Sequence, residues 1–262
     1  MKTITLPTYF IAILILFMNS CEKSAVQQQE TPRTNVETPT TKTEVETVEV
    51  TEADGFVPTI AIDDTLAPFI PTGYCIYDKT YGDLNKDGIA DCILTIKKID
   101  IANIIVDESG GKLDRNRRGI IILLKQAEGY TLATKNYDCF SSENEEGGIY
   151  FAPELSVEAK KGNLFIEYHH GRYGYWSYTF RWNQTDFELI GYDVSENSGP
   201  VVNRQISMNF LSKKKLVRKN VNENAEGEDE IFEDKWEQIT SNPTIKLSAI
   251  TDFDELNLYD LK

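Results

Sequence analysis

The sequence predicts an all-β fold built mainly from antiparallel sheets, arranged as a sandwich, a barrel or a folded meander, with at most one short C-terminal helix. Three observations carry that expectation. From residue 59 onward, short runs rich in Ile, Leu, Val, Tyr and Phe alternate with polar turns, the pattern of sequential hairpins. No long segment repeats its apolar residues with the 3.6 period of an amphipathic helix. In one hairpin, Trp176, Tyr178, Phe180 and Trp182 alternate with Ser177, Thr179 and Arg181, so period-two geometry places the four aromatics on one face.

The strands are expected at 74–77, 90–97, 119–125, 130–135, 155–159, 164–169, 175–182, 187–192, 204–211 and 215–220. Turn residues separate them: Glu128-Gly129, Lys161-Gly162-Asn163 and Gln184-Thr185-Asp186 each join neighbouring runs. The aromatic face of 175–182 is wide enough to stack on a sugar. Aromatics bury the most area per residue, so the principal core face is the preferred assignment. The short helix is expected near 248–258.

Composition narrows the partners. The chain has 262 residues, with 27 Lys+Arg against 42 Asp+Glu and a formal charge of −15. Phosphate binding needs a basic footprint, so a nucleic-acid partner is not expected. Electrostatic docking on anionic lipid is disfavoured for the same reason.

The N-terminus supplies an address. Lys2 precedes an apolar run from Tyr9 to Met18. A spanning helix needs about 20 apolar residues, so the run has the length of a signal-peptide core. It ends at Met18-Asn19-Ser20-Cys21. A small residue before a cysteine at this place resembles the lipobox of bacterial lipoprotein signal peptides, with Met18 where that motif usually has Leu. The resemblance implies that residues 1–20 are removed and that Cys21 becomes the acylated, palmitate-bearing N-terminus. One acyl chain anchors only marginally, and the lipoprotein N-terminus is similar to the stable multi-chain case. The expected location is the bacterial cell envelope, with the membrane engaged through lipid alone.

Residues 21–58 read as a tether. The stretch after Cys21 is rich in Thr, Glu, Val and Gln, and Phe56 is its only aromatic residue. Such a composition cannot bury enough apolar area to offset the entropy of ordering it. As a flexible coil it would span on the order of 35 Å. Residues 59–262 then form one β-rich domain.

The stretch that carries chemistry is Gly82-Asp83-Leu84-Asn85-Lys86-Asp87-Gly88-Ile89-Ala90-Asp91. Calcium takes about six to eight oxygen ligands from carboxylates, amides and backbone carbonyls. Asp83, Asn85 and Asp87 can supply side-chain oxygens and Ile89 its carbonyl, with Asp91 closing the site directly or through water. Gly88 stands where the loop must turn sharply. Sulfur and imidazole are absent, which disfavours zinc. An EF-hand would have a bidentate Glu at the twelfth position, where this chain has Leu94, and 90–97 reads as a strand. Asp-x-Asn-x-Asp-Gly-x-x-Asp followed by an apolar strand resembles the calcium loop of FG-GAP or VCBS-type β repeats. Only one copy is present, so the repeats' propeller is not implied. The order of GDLNKDGIADCIL, RRGIIILL, YWSYTFRW, FELIGYD and ISMNFLSKKKLV is also similar to that of uncharacterised bacterial lipoproteins with one such loop. A second loop, Asp114-Arg115-Asn116-Arg117-Arg118-Gly119, imitates the first half of the motif. It puts Arg118 where an acid should stand, so it is expected to be a hairpin loop.

The remaining residues are less pointed. Cys75, Cys92 and Cys139 leave at least one thiol over, and their connectivity cannot be read from sequence. Cys75 and Cys92 flank the metal loop in neighbouring strands, where a disulfide would clamp it. His169 and His170 are adjacent, so a strand would point them to opposite faces. Residues 223–237 look like a solvated acidic insertion after the basic stretch 213–219. No Ser-His-Asp elbow or phosphate loop is present. The functional expectation is a non-enzymatic binding module braced by structural calcium, with a protein or glycan partner. The alternative is a polysaccharide hydrolase using an Asp/Glu pair.

Overall fold

In a computed structural model, the described residues are 60, 62, 64–108, 110–144, 153–241, 244–256, 258–259 and 261. The expected signal peptide and tether, with Cys21, lie outside them.

All-β architecture is what the chain adopts. The strands are β1 (Tyr74–Gly82), β2 (Asp91–Lys98), β3 (Ile104–Val106), β4 (Lys112–Asp114), β5 (Arg118–Lys125), β6 (Tyr130–Phe140), β7 (Glu154–Lys160), β8 (Asn163–His169), β9 (Gly174–Trp182), β10 (Phe187–Ser198), β11 (Val201–Asn209), β12 (Lys214–Asn220) and β13 (Phe232–Gln238). They build a four-stranded sheet ordered β1-β2-β5-β6, a seven-stranded meander ordered β13 to β7, and a separate β3–β4 ribbon. Every strand pairing is antiparallel.

The two large sheets share one core. Ile93, Ile120, Ile122 and Phe140 from the smaller sheet meet Leu164, Ile166, Tyr178 and Phe180 from the larger. Trp176 stacks on Tyr168 with 5.3 Å between ring centroids, and Trp182 lies 5.1 Å from Phe187. The alternating aromatics of β9 thus form a core face, not a sugar platform. Behind the smaller sheet a second cluster joins Ile76, Leu94, Ile96 and Ile121 to Leu66, Phe69 and Ile70 from the entering chain. With both faces covered, β2 reads as an almost unbroken apolar run.

Three expectations need correction. Among its described residues the segment 248–258 forms no α-helix, and the nearest helical element is a 3-10 turn at Leu247–Ala249. Its backbone groups find partners elsewhere: Asn136 Nδ2 donates to the carbonyls of Leu247 and Ile250, and Phe253 N–H donates to the Cys139 carbonyl. Leu247, Ile250, Phe253 and Leu258 fill the core from a segment that is not α-helical. Second, part of the acidic run is strand. β13 pairs along β12, setting Asp234 opposite Arg218 and Glu237 opposite Lys215, with Arg218 Nε 3.0 Å from Asp234 Oδ1. Third, Asp114–Arg118 is no hairpin loop. It links the β3–β4 ribbon to the four-stranded sheet, and Arg118 is buried.

Candidate functional site

The loop from Asp83 to Asp91 connects β1 to β2, and its side chains organise its own backbone. Asp83 Oδ1 accepts the Lys86 N–H at 2.6 Å and Oδ2 accepts the Gly88 N–H at 3.0 Å. Asn85 Oδ1 accepts from Asp87 N–H at 3.0 Å, and Asp87 Oδ1 from Ile89 N–H at 2.8 Å. Asn85 Nδ2 donates to Asp87 Oδ2 at 2.8 Å. Lys86 has φ +66° and Gly88 φ +87°, the left-handed values that fold the loop back on itself. Each carboxylate oxygen so engaged keeps further acceptor capacity.

Asp91 stands apart from the other three. It is fully buried, with Oδ2 accepting the Leu84 N–H at 2.8 Å and Oδ1 the Lys125 N–H at 2.9 Å. Burial pushes its carboxyl above the ordinary Asp range, and the backbone donors partly offset that rise. Asp91 therefore fastens the loop to the end of β5. Beside it, the loop offers the two carboxylates of Asp83 and Asp87 and the amide of Asn85. Among the described residues no group of three or more His, Cys, Asp or Glu is placed to hold a metal. The all-oxygen donor set still fits calcium, which accepts amide, carbonyl and solvent oxygens beside carboxylates.

The expected clamp is corrected by the strand register. Cys75 lies opposite Lys97, whereas Cys92 lies opposite Tyr81. The two are about 17 Å apart along the ribbon at the usual rise per residue, far beyond disulfide reach. Cys75, Cys92 and Cys139 carry thiols in this structure.

Two polar arrangements have no sequence motif. At the far end of β2, Lys97 is 2% exposed, with Nζ 2.8 Å from Asp114 Oδ2 and 2.6 Å from Glu143 Oε1. Arg118 joins them, donating from Nε to the Ser141 carbonyl at 2.9 Å, and its guanidinium lies 5.3 Å from the Tyr77 ring centre. The only hint in sequence is a lysine closing an apolar strand.

The second arrangement lies on the face of the large sheet turned away from the core. Strand register places Glu167, Ser177, Asp193, Ser207, Leu216 and Trp236 in one row across β8 to β13. Ser177 donates to Glu167 Oε1 at 3.2 Å, and His169 Nε2 is 3.6 Å from Glu167 Oε2. Burial raises the Asp193 carboxyl, the Ser207 hydroxyl lowers it, and the Glu167 charge adds to the rise. Glu167 and Asp193 are two strands apart, about 10 Å between backbones. Tyr175 flanks the row, and Trp236 is 65% exposed at its end.

Among the described residues no helix is long and apolar enough to cross a membrane. No protein-family model, curated protein or solved structure matches the chain.

Proposed function

We propose that the protein is a lipid-anchored module of the bacterial cell envelope whose β-domain is stabilised by calcium and whose role is binding rather than catalysis. The observation that carries the calcium part is the loop itself, with Asp83, Asn85 and Asp87 on alternate positions, a left-handed Gly88 and no nitrogen or sulfur donor. Those three side chains and the Ile89 carbonyl would hold the ion. Calcium would supply positive charge that binds the folded loop and not the open chain, so it adds stability by mass action. The anchor rests on the sequence at Cys21. A protein or glycan partner would meet the outer face of the large sheet, lined by Asp193, Ser207 and Tyr175.

Two measurements test this reading. Labelled palmitate should enter the wild-type chain and not Cys21→Ser, and incorporation of no label would remove the anchor. Pull-down from envelope extracts should return a protein or glycan partner without turnover of it.

A second reading, a hydrolase of envelope or extracellular polysaccharide, is favoured by one observation. Glu167 and Asp193 face the same side of the sheet across Ser177, and burial holds Asp193 toward its acid form. A carboxyl held toward its acid form near a second carboxyl group is an arrangement that glycoside cleavage can use. Release of reducing ends that disappears in both Glu167→Gln and Asp193→Asn would replace the binding reading with this one.

A further inference from the structure

The metal loop divides by parity. Its odd positions, Asp83, Asn85 and Asp87, carry the oxygens. Two of its even positions, Leu84 and Lys86, reach the other sheet. Leu84 is 1% exposed and belongs to the core shared with Val157 and Leu164 of β7 and β8. The Lys86 side chain lies over Gly162 in the β7–β8 turn, so closely that a Cβ at Gly162 would overlap its methylenes. Just before the loop, Gly82 packs against Ala159 of β7 with no room for a side chain. β1 and β7 are edge strands of the two sheets, so these contacts form the seam between sheets along one side of the molecule.

We infer that the loop is a fastener between the sheets, and that an ion held by its odd positions stiffens the β7–β8 hairpin through Leu84 and Lys86. The inference rests on the calcium reading above. It goes beyond it in assigning Lys86, which offers no ligand oxygen from its side chain, the role of positioning residue for a hairpin that contributes no ligand. Residues 83 to 87 alternate along one short stretch of backbone. Fixing Asp83, Asn85 and Asp87 around a common centre therefore fixes the intervening Cα positions, and with them the directions in which Leu84 and Lys86 point. β12 and β13 lie at the other edge of the large sheet and should not sense the ion locally.

Amide hydrogen exchange on the full chain, with calcium and with chelator, tests this. Saturating calcium should slow exchange by about tenfold or more in 83–91 and in 157–165, with little change in 214–238 under conditions where local opening dominates. Lys86→Ala should keep the protection of 83–91 and lose that of 157–165, and Lys86→Met, which restores the apolar stem, should recover it. Slowing in the loop with none in the wild-type hairpin would overturn the fastener and leave the ion site standing. Equal hairpin protection in Lys86→Ala would overturn the role of Lys86. No slowing in either segment would remove the calcium reading, and the inference with it.

Discussion

Asp91 accepts the Lys125 backbone N–H at 2.9 Å while its other oxygen holds Leu84 N–H at 2.8 Å. One buried carboxylate thus ties the start of β2, the loop that precedes it and the end of β5 together. A group in that position serves the fold whether or not an ion is bound.

Asp91→Ala is therefore expected to destabilise the chain even in chelator. Two backbone donors lose their acceptor in a buried site, at about 2–3 kcal/mol in total. Asp83→Ala, whose acceptor serves exposed loop amides, should cost clearly less under the same conditions. Urea unfolding of both variants with chelator checks the order. Equal losses would contradict the anchoring role of Asp91 between the loop and β5.

Lys97 gives a sharper stability test. Its ammonium is buried between Asp114 and Glu143, and removing one partner of a buried ion pair strands the others in low dielectric. Lys97→Met should cost about 3–5 kcal/mol. Lys235→Ala should cost far less, because its pairing with Glu237 is at the surface and its side chain is 74% exposed. Denaturant midpoints of the two variants that coincide would contradict the assignment of a buried network.

Most of the sheet was legible because its strands announce themselves locally. Each run expected from composition and turn residues lies within an observed strand or overlaps it to within a few residues. β13 was not legible, since Glu233, Asp234, Lys235 and Glu237 look solvated until β12 is known to lie alongside with Lys215 and Arg218 in register. The C-terminal segment misled for the opposite reason. Its apolar residues are spaced like a short helix, but Asn136, distant in sequence, satisfies the carbonyls that a helix would have used. At the Asp83–Asp91 loop, the spacing put all four acidic and amide side chains into one candidate ligand set. The separation of Asp91 from Asp83, Asn85 and Asp87 depends on Lys125, a residue of another strand. Cys75 and Cys92 show the same limit: neighbouring strands were readable, the register between them was not.

Asp193 gives a pH signature. Its folded-state carboxyl titrates above the ordinary Asp range because burial disfavours the charge and Glu167 adds repulsion. The folded state therefore binds the proton more tightly than the unfolded chain. Stability should fall as pH rises from the ordinary Asp value to the raised folded value, then level off. Asp193→Asn removes that fall, so its melting temperature should exceed the wild type's at neutral pH and converge with it in acid. A variant less stable than wild type at pH 7 by the same margin as in acid would contradict the shift.

Calorimetric titration of calcium into the metal-stripped full chain, paired with melting curves, is the most direct test of the central claim. One saturating event should appear, with a melting temperature that climbs with calcium concentration by mass action. Asp83→Ala and Asp87→Ala should lose both, while Asp193→Asn keeps them. A titration without heat up to millimolar calcium, with a melting temperature that does not move, would contradict the assignment of this loop as a calcium site.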